Sequence, residues 1–190
     1  MLRFRKTRRV ERFVRKGALF TRLKLPDNTM LDVYNVHLLS TTGVLSERRA
    51  ARGRRRQLLE LRDWIARRKK YGVPVAIMGD LNVHDDAPEY SLLETYFQND
   101  LFRRCNPLPE ENGLSSLDPA TRGMTFDPNS NSWALSPVGY PERLDYILFS
   151  AGLSSSAHLV SSNRQFVENC FHGRPLSDHF AVEAEYTQLS

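Results

Sequence analysis

Residues 73–78, VPVAIM, constrain this chain more than any other stretch. The run is apolar, too short for a helix of ordinary length, and bounded by the breakers Gly72, Pro74 and Gly79. It reads as a strand buried on both faces. Such a strand needs a layer of structure above it and another below, which points to a layered α/β architecture. The preceding segment fits. Over residues 45–70, Leu58, Leu61 and Ile65 recur at helical spacing, Leu59 and Trp64 flank them, and the opposite face is nearly all Arg and Lys. One long amphipathic helix therefore leads into the buried strand, and Gly72 and Pro74 end it.

Further strands are expected on both sides. ALFTRLKL at 18–25, a Pro26-Asp27-Asn28 turn and LDVYNVHLL at 31–39 read as strand, turn, strand. In the second of these, Leu31, Val33, Asn35 and His37 share one face, and Asp32, Tyr34, Val36 and Leu38 the other. A short helix is expected at about 88–97, with Tyr90, Leu93 and Phe97 on one side. ERLDYILFS at 142–150 and HFAVEAEYT at 179–187 complete the strands. Residues 103–142 hold six Pro and three Gly and read as loop-rich; the part at 103–123 yields no functional reading. No repeat or linker divides the 190 residues, so the reading is a single domain over 1–190.

Composition narrows the class. No stretch approaches the ~18 apolar residues of a membrane span. The basic start MLRFRKTRRVERFVRKG is not followed by the apolar stretch of a secretory signal. A transit peptide is a weaker reading of the same residues, and a cytoplasmic or membrane-peripheral location is expected. Cys105 and Cys170 form no framework or zinc spacing and read as two free thiols. Charge is uneven. Residues 1–70 hold 21 Lys+Arg and 6 Asp+Glu, a net +15, and the remainder holds 6 and 16, a net −10. Such a basic stretch suits nucleic acid or an anionic membrane, or is simply a set of solvated faces.

Four strand ends or starts carry polar clusters: Asn35-Val36-His37-Leu38, Gly79-Asp80-Leu81-Asn82, Arg143-Leu144-Asp145-Tyr146 and Ser177-Asp178-His179. Functional groups concentrate where strands give way to loops. Taken singly, each has an ordinary structural reading as a cap, a turn or a satisfied histidine. Asp145 is the least ordinary, because Asp is disfavoured within strands and a buried carboxylate needs a partner.

Together and in this order, the clusters resemble the endonuclease/exonuclease/phosphatase superfamily. They match its N-x-H-L strand, its G-D-x-N strand end, its R-[IL]-D-Y strand and its terminal S-D-H. Arg56-Gln57 followed by Leu61 matches a helix pattern of the same family. The resemblance runs from about Phe13 to Tyr186. It implies a DNase I-like four-layer α/β sandwich and Mg²⁺-assisted hydrolysis of a phosphate ester by water.

By that resemblance, His179 is the catalytic histidine, acting as general base or holding the phosphate. Asp145 orients it. Asp80 orients the nucleophile or handles the leaving-group proton, and Asn82 donates to phosphoryl oxygens. His37 stabilises their developing charge, and Asn35 supports the strand end beside the substrate. Asp80 and Asp178 are the candidate metal ligands, and Asp178 alternatively tunes His179. AP endonucleases typically carry Tyr where this chain has His37, which counts against abasic-site repair. KGALFTRLKLPDN, GMTFDPNSNSW and PLSDHFAVEAEY look most like the neutral sphingomyelinase branch, which implies a phospholipid substrate at a membrane surface.

The chain also departs from the pattern. The family's early strand, with an Asn near the phosphate, and the Glu that is its main Mg²⁺ ligand have no counterpart here. Glu11 is the only acid before Asp27. The expectation is an N-terminally truncated domain, the C-terminal two-thirds. It should have an open sheet edge and an uncovered apolar face, and be unstable or inactive alone. The leading reading is a Mg²⁺-dependent sphingomyelin-type phosphodiesterase. The alternatives are a nuclease or inositol polyphosphate phosphatase of the same fold, and a catalytically silent binding module.

Overall fold

The computed structural model describes residues 1–4, 16–41, 46–97, 99–107, 122–135, 139–150, 157–165, 170–171 and 174–188. Glu11 and most of the basic start lie outside these. Strand β1 (Leu2–Arg3) precedes β2 (Gly17–Lys24) and β3 (Met30–His37). Helix α1 (Glu47–Arg68), β4 (Val75–Asp80), α2 (Tyr90–Phe97), β5 (Asn99–Asp100) and α3 (Leu101–Cys105) follow. The rest comprises β6 (Asp145–Phe149), β7 (Ala157–Gln165), β8 (Cys170–Phe171), β9 (Arg174–Pro175) and β10 (Ala181–Gln188).

The β2–β3 turn forms because its residues favour it. Asn28 takes the left-handed backbone (φ 67°) that Asn tolerates. The Asp27 carboxylate accepts the Thr29 N–H at 2.9 Å, and the Leu25 carbonyl accepts the Asn28 N–H at 2.9 Å. β3 and β4 run parallel, and α1 makes the crossover that parallel strands require. The main sheet has the order β1-β2-β3-β4-β6-β5. β7 and β10 form a separate antiparallel pair with a register shift at Glu185/Tyr186.

Alternation along the strands sorts the core into two layers. Tyr34, Val36, Val75, Ile77, Tyr146 and Leu148 face α1 and α2 and meet Leu58, Leu61, Trp64 and Ile65. Ala76 and Phe149 face the other way and pack with Met78, Ile147 and Ala184 of β10. β4 is thus covered on both sides, as its composition requires. The described residues supply helices α1 and α2, the main sheet, and on its other side the β7–β10 pair, against which α3 packs. On that second face Leu19 and Leu23 of β2 stay 55% and 44% exposed. No helix among the described residues is long and apolar enough to cross a membrane.

Boundaries differ from the sequence reading by a few residues. α3, β5 and β7 were not anticipated, being short or lacking a clear apolar period. Leu59 is exposed rather than flanking the buried stripe. Cys105 is a free, half-buried thiol; the Cys170 side chain lies outside the described residues.

The basic helix is not solvated throughout. Arg54 is fully buried and bonds Glu89 through Nε at 3.1 Å and Nη2 at 2.9 Å, and it also reaches Glu47. One turn along, Gln57 Oε1 accepts the Leu39 N–H at 2.8 Å. Next to Arg54, a Cβ on Gly53 would stand 2.3 Å from Leu39 Cδ2, so a larger residue there would make the Leu39 side chain shift. These contacts fasten α1 to the loop that leaves β3. Glu89→Ala should lower the unfolding free energy by about 3 kcal/mol, because it strands much of a buried guanidinium. Urea denaturation measures this, and a loss under about 1 kcal/mol would mean that Glu47 alone satisfies Arg54.

Candidate active site

His37 ends β3, Asp80 ends β4 and Asp145 begins β6. The three strands are neighbours, and Asp80 and Asp145 are direct partners in the register. The two-residue period puts all three side chains on the face turned toward β10, alongside Val33, Met78 and Ile147. His179 arrives on the segment just before β10. The sequence clusters therefore converge at one end of one sheet face.

His179 Nδ1 lies 2.7 Å from Asp145 Oδ2. Burial pulls the histidine down, but the hydrogen bond and charge of Asp145, with Asp80 and Asp178 behind them, outweigh it and raise its pKa. The Phe126 ring lies 5.1 Å from the imidazole, and Ser177 Oγ accepts the His179 N–H at 3.2 Å.

His37 is about half exposed, and its Nε2 is shared between an anion and a cation. Asp80 Oδ2 stands 3.2 Å away and Lys16 Nζ 2.8 Å away. Lys16 also donates to Ser40 Oγ at 3.1 Å. Burial would raise Asp80; its hydrogen bond with His37, the charges of His37 and His179, and the Asn82 N–H (2.9 Å) instead hold it below the ordinary carboxylate value.

Asn82 is buried in the left-handed region (φ 49°), and its Nδ2 donates to the Leu38 carbonyl at 3.2 Å. As at Asn28, Asn is a residue type that tolerates this conformation, and it suits the tight turn that ends β4. Gly79 (φ 122°) lets the end of β4 lie close against β3: a Cβ would meet the Val36 carbonyl oxygen at 2.3 Å and Asn35 Oδ1 at 2.8 Å. Asn35 therefore borders the β4 end while remaining exposed. The buried Tyr146 hydroxyl, 2.5 Å from the Val83 carbonyl oxygen, pins the loop beyond Asn82. His84 then pairs with Glu142 at 3.0 Å, and this bond raises the histidine against the pull of burial.

Asp178 directly precedes His179, and its charge helps to raise that histidine. The carboxylate is exposed, and its Oδ1 accepts the Ser177 hydroxyl at 3.3 Å. Among the described residues no three His, Cys, Asp or Glu side chains are placed to hold a metal ion together. Both Asp80 oxygens already face partners. Mg²⁺ prefers an octahedral oxygen shell, and these residues do not make one by themselves.

Sequence reasoning passed over Lys16, Gln57 and Tyr146 as parts of this site. The one available signal was a Lys and a Gly opening a strand, and a lysine 8% exposed is rare without a partner.

The layered α/β fold thus brings an Asp–His pair, a second His–Asp contact and a left-handed Asn together at adjoining strand ends. The chain belongs to the endonuclease/exonuclease/phosphatase family, whose model matches residues 9–179. Its fold is similar to that of beta toxin from Staphylococcus aureus, in a variant with bound magnesium ions, at 23% identity and TM-score 0.60, over 90% of this chain and 57% of that one. It is similar to sphingomyelinase C from Streptomyces griseocarneus at 22% identity and TM-score 0.62, with 90% and 57% covered. It is also similar to TDP2 from D. rerio, complexed with single strand DNA product, at 17% identity and TM-score 0.64, with 92% and 62% covered. The chain spans less than two thirds of each. No curated protein matches it by sequence.

The raised His179 has a consequence for stability. A histidine raised on folding contributes fully below its ordinary value of 6.5, and that contribution fades as pH climbs through the folded value. The stability gap between wild type and Asp145→Asn in urea should therefore be widest near about pH 6 and narrow by about pH 9. A gap that widens toward alkaline pH would mean the ring is held neutral.

Proposed function

We propose that this chain carries the hydrolytic centre of a phosphodiesterase whose substrate is a phospholipid headgroup ester of the sphingomyelin type. The observation that carries the reading is the Asp145–His179 pair, set on the same sheet face as the His37–Asp80 contact. A histidine whose charged form is favoured suits a group that binds a phosphoryl oxygen or delivers a proton to the leaving oxygen. Asp80, kept ionised, suits the group that accepts a hydrogen bond from the attacking water. Asn82 has a second amide N–H to donate beyond the one on Leu38, and His37 offers its exposed ring edge to the charge that develops on the phosphate. Lys16 holds that ring from below, and Asn35 borders the substrate. Dependence on Mg²⁺ belongs to the reading, with the shell completed from outside the described residues; Asp80 and Asp178 alone do not complete it.

The lipid assignment rests on the segments that look like the neutral sphingomyelinase branch, while His37 counts against abasic-site repair. A second reading, a phosphodiester in nucleic acid, is favoured by the exposed Arg48, Arg49, Arg52, Arg55 and Arg56 on α1.

Hydrolysis by wild type and His179→Ala should be compared with and without Mg²⁺. The substrates would be sphingomyelin in detergent micelles, plasmid DNA and an inositol polyphosphate. Sphingomyelin turnover that falls at least about 100-fold in the variant is expected. Cleavage of DNA instead would establish the second reading, and no turnover on any substrate would end the enzymatic reading for this chain.

A further inference from the structure

The segment 125–131 lies in no named strand or helix, yet it is tied to both halves of the Asp145–His179 pair. Thr125 is fully buried. Its hydroxyl oxygen accepts two consecutive backbone N–H groups, Leu144 at 3.2 Å and Asp145 at 3.1 Å. Its own N–H donates to the Glu142 carbonyl at 3.1 Å, and its carbonyl accepts the Phe180 N–H at 2.7 Å. Phe180 directly follows His179. One residue is thus bonded to the backbone of Asp145 and to the backbone next to His179.

The hydroxyl does something a strand neighbour does not. Consecutive N–H groups in an extended strand point to opposite sides, so one ladder carbonyl does not take both. Their convergence on a single oxygen means that the backbone is curled at 144–145, where the chain enters β6. That curl aims the Asp145 carboxylate. A second tie holds the other side: Asn131 Nδ2 donates to the Ser177 carbonyl at 2.8 Å, two residues before His179.

We propose that Thr125 is a positioning residue of the active site: its hydroxyl fixes the aim of Asp145 while its carbonyl fixes the approach of His179, so turnover depends on an oxygen that never meets substrate. The bland alternative is a threonine that only fills space. The two differ in what an isosteric loss of the oxygen does. The inference rests on the catalytic reading of the pair given above.

Thr125→Val, Thr125→Ser and Thr125→Val combined with Asp145→Asn test it, each in the full chain, with thermal unfolding confirming that each folds. On whichever phosphodiester wild type turns over, Thr125→Val should lower kcat at least about tenfold and leave KM within about twofold. Thr125→Ser, which keeps the oxygen, should restore most of kcat. On the Asp145→Asn background Thr125→Val should cost less than about twofold more, because the group it aims is already lost. Full multiplicative loss on that background, or no rescue by a folded Thr125→Ser, overturns the proposal.

A second readout needs no activity: the downfield imidazole N–H proton of the His179–Asp145 hydrogen bond, assigned by its loss in His179→Ala. It should be present in wild type and Thr125→Ser and absent in Thr125→Val. Its absence from wild type, or its persistence in Thr125→Val, overturns the proposal. The proposed reaction can therefore fail without deciding this question. If Thr125→Val does not fold, Thr125→Cys, close in size and a weak acceptor, takes its place with the same expected outcomes.

Discussion

β4 is hydrogen-bonded along both edges, parallel to β3 and antiparallel to β6, and it is covered on both faces. Its two-residue alternation sends Val75 and Ile77 toward the helices and Ala76 and Met78 toward β10. The same alternation carries on to Asp80, whose carboxylate emerges on the β10 side. The neighbours in register repeat the pattern, with His37 on one side and Asp145 on the other. Core packing and site geometry are therefore set by one register. A slip of one residue would turn Asp80 into the helix-facing core and leave Ile77 on the wrong side.

On that scaffold the charges are arranged by neighbourhood. Asp80 is held ionised by the His37 contact, the His179 charge and the Asn82 N–H, although burial opposes it. His179 is held toward its charged form by Asp145, again against burial. Two adjoining groups are thus pushed in complementary directions, an anion that stays an anion and an imidazole inclined to keep its proton. This separation of tendencies is what acid–base chemistry at one site requires. Asn82, in a turn whose next residue is held by the Tyr146 hydroxyl, adds a positioned donor beside them.

Much of the site was legible in order but not in support. The Asn35–His37 strand, the Asp80–Asn82 strand end, Asp145 and His179 announced themselves through residue type at strand ends. Their alternation also predicted which faces would be shared. The support was hidden. Arg54 lay inside a basic run that reads as solvent-facing, yet it is buried against Glu89. Lys16 and Thr125 are separated from their partners by 21 and 20 residues, and no local pattern marks such pairings. β7 pairs with β10 alone, and its polar run of Ser, Ser, Asn, Arg and Gln offers no apolar alternation.

By itself the sequence determined the types of the longer apolar elements (β2, β3, α1, β4, α2, β6 and β10), the doubly buried β4 and the chemical identity of the groups at the strand ends. These follow from local rules: apolar periodicity, breakers and residue chemistry. Only the tertiary structure decided that Asp145 and His179 meet at 2.7 Å, and that Lys16 Nζ comes within 2.8 Å of His37 Nε2. The physical reason is the range of the forces. Periodicity acts over a turn or a pleat, whereas a hydrogen bond between residues 34 positions apart exists only once the sheet register has brought the chain back upon itself.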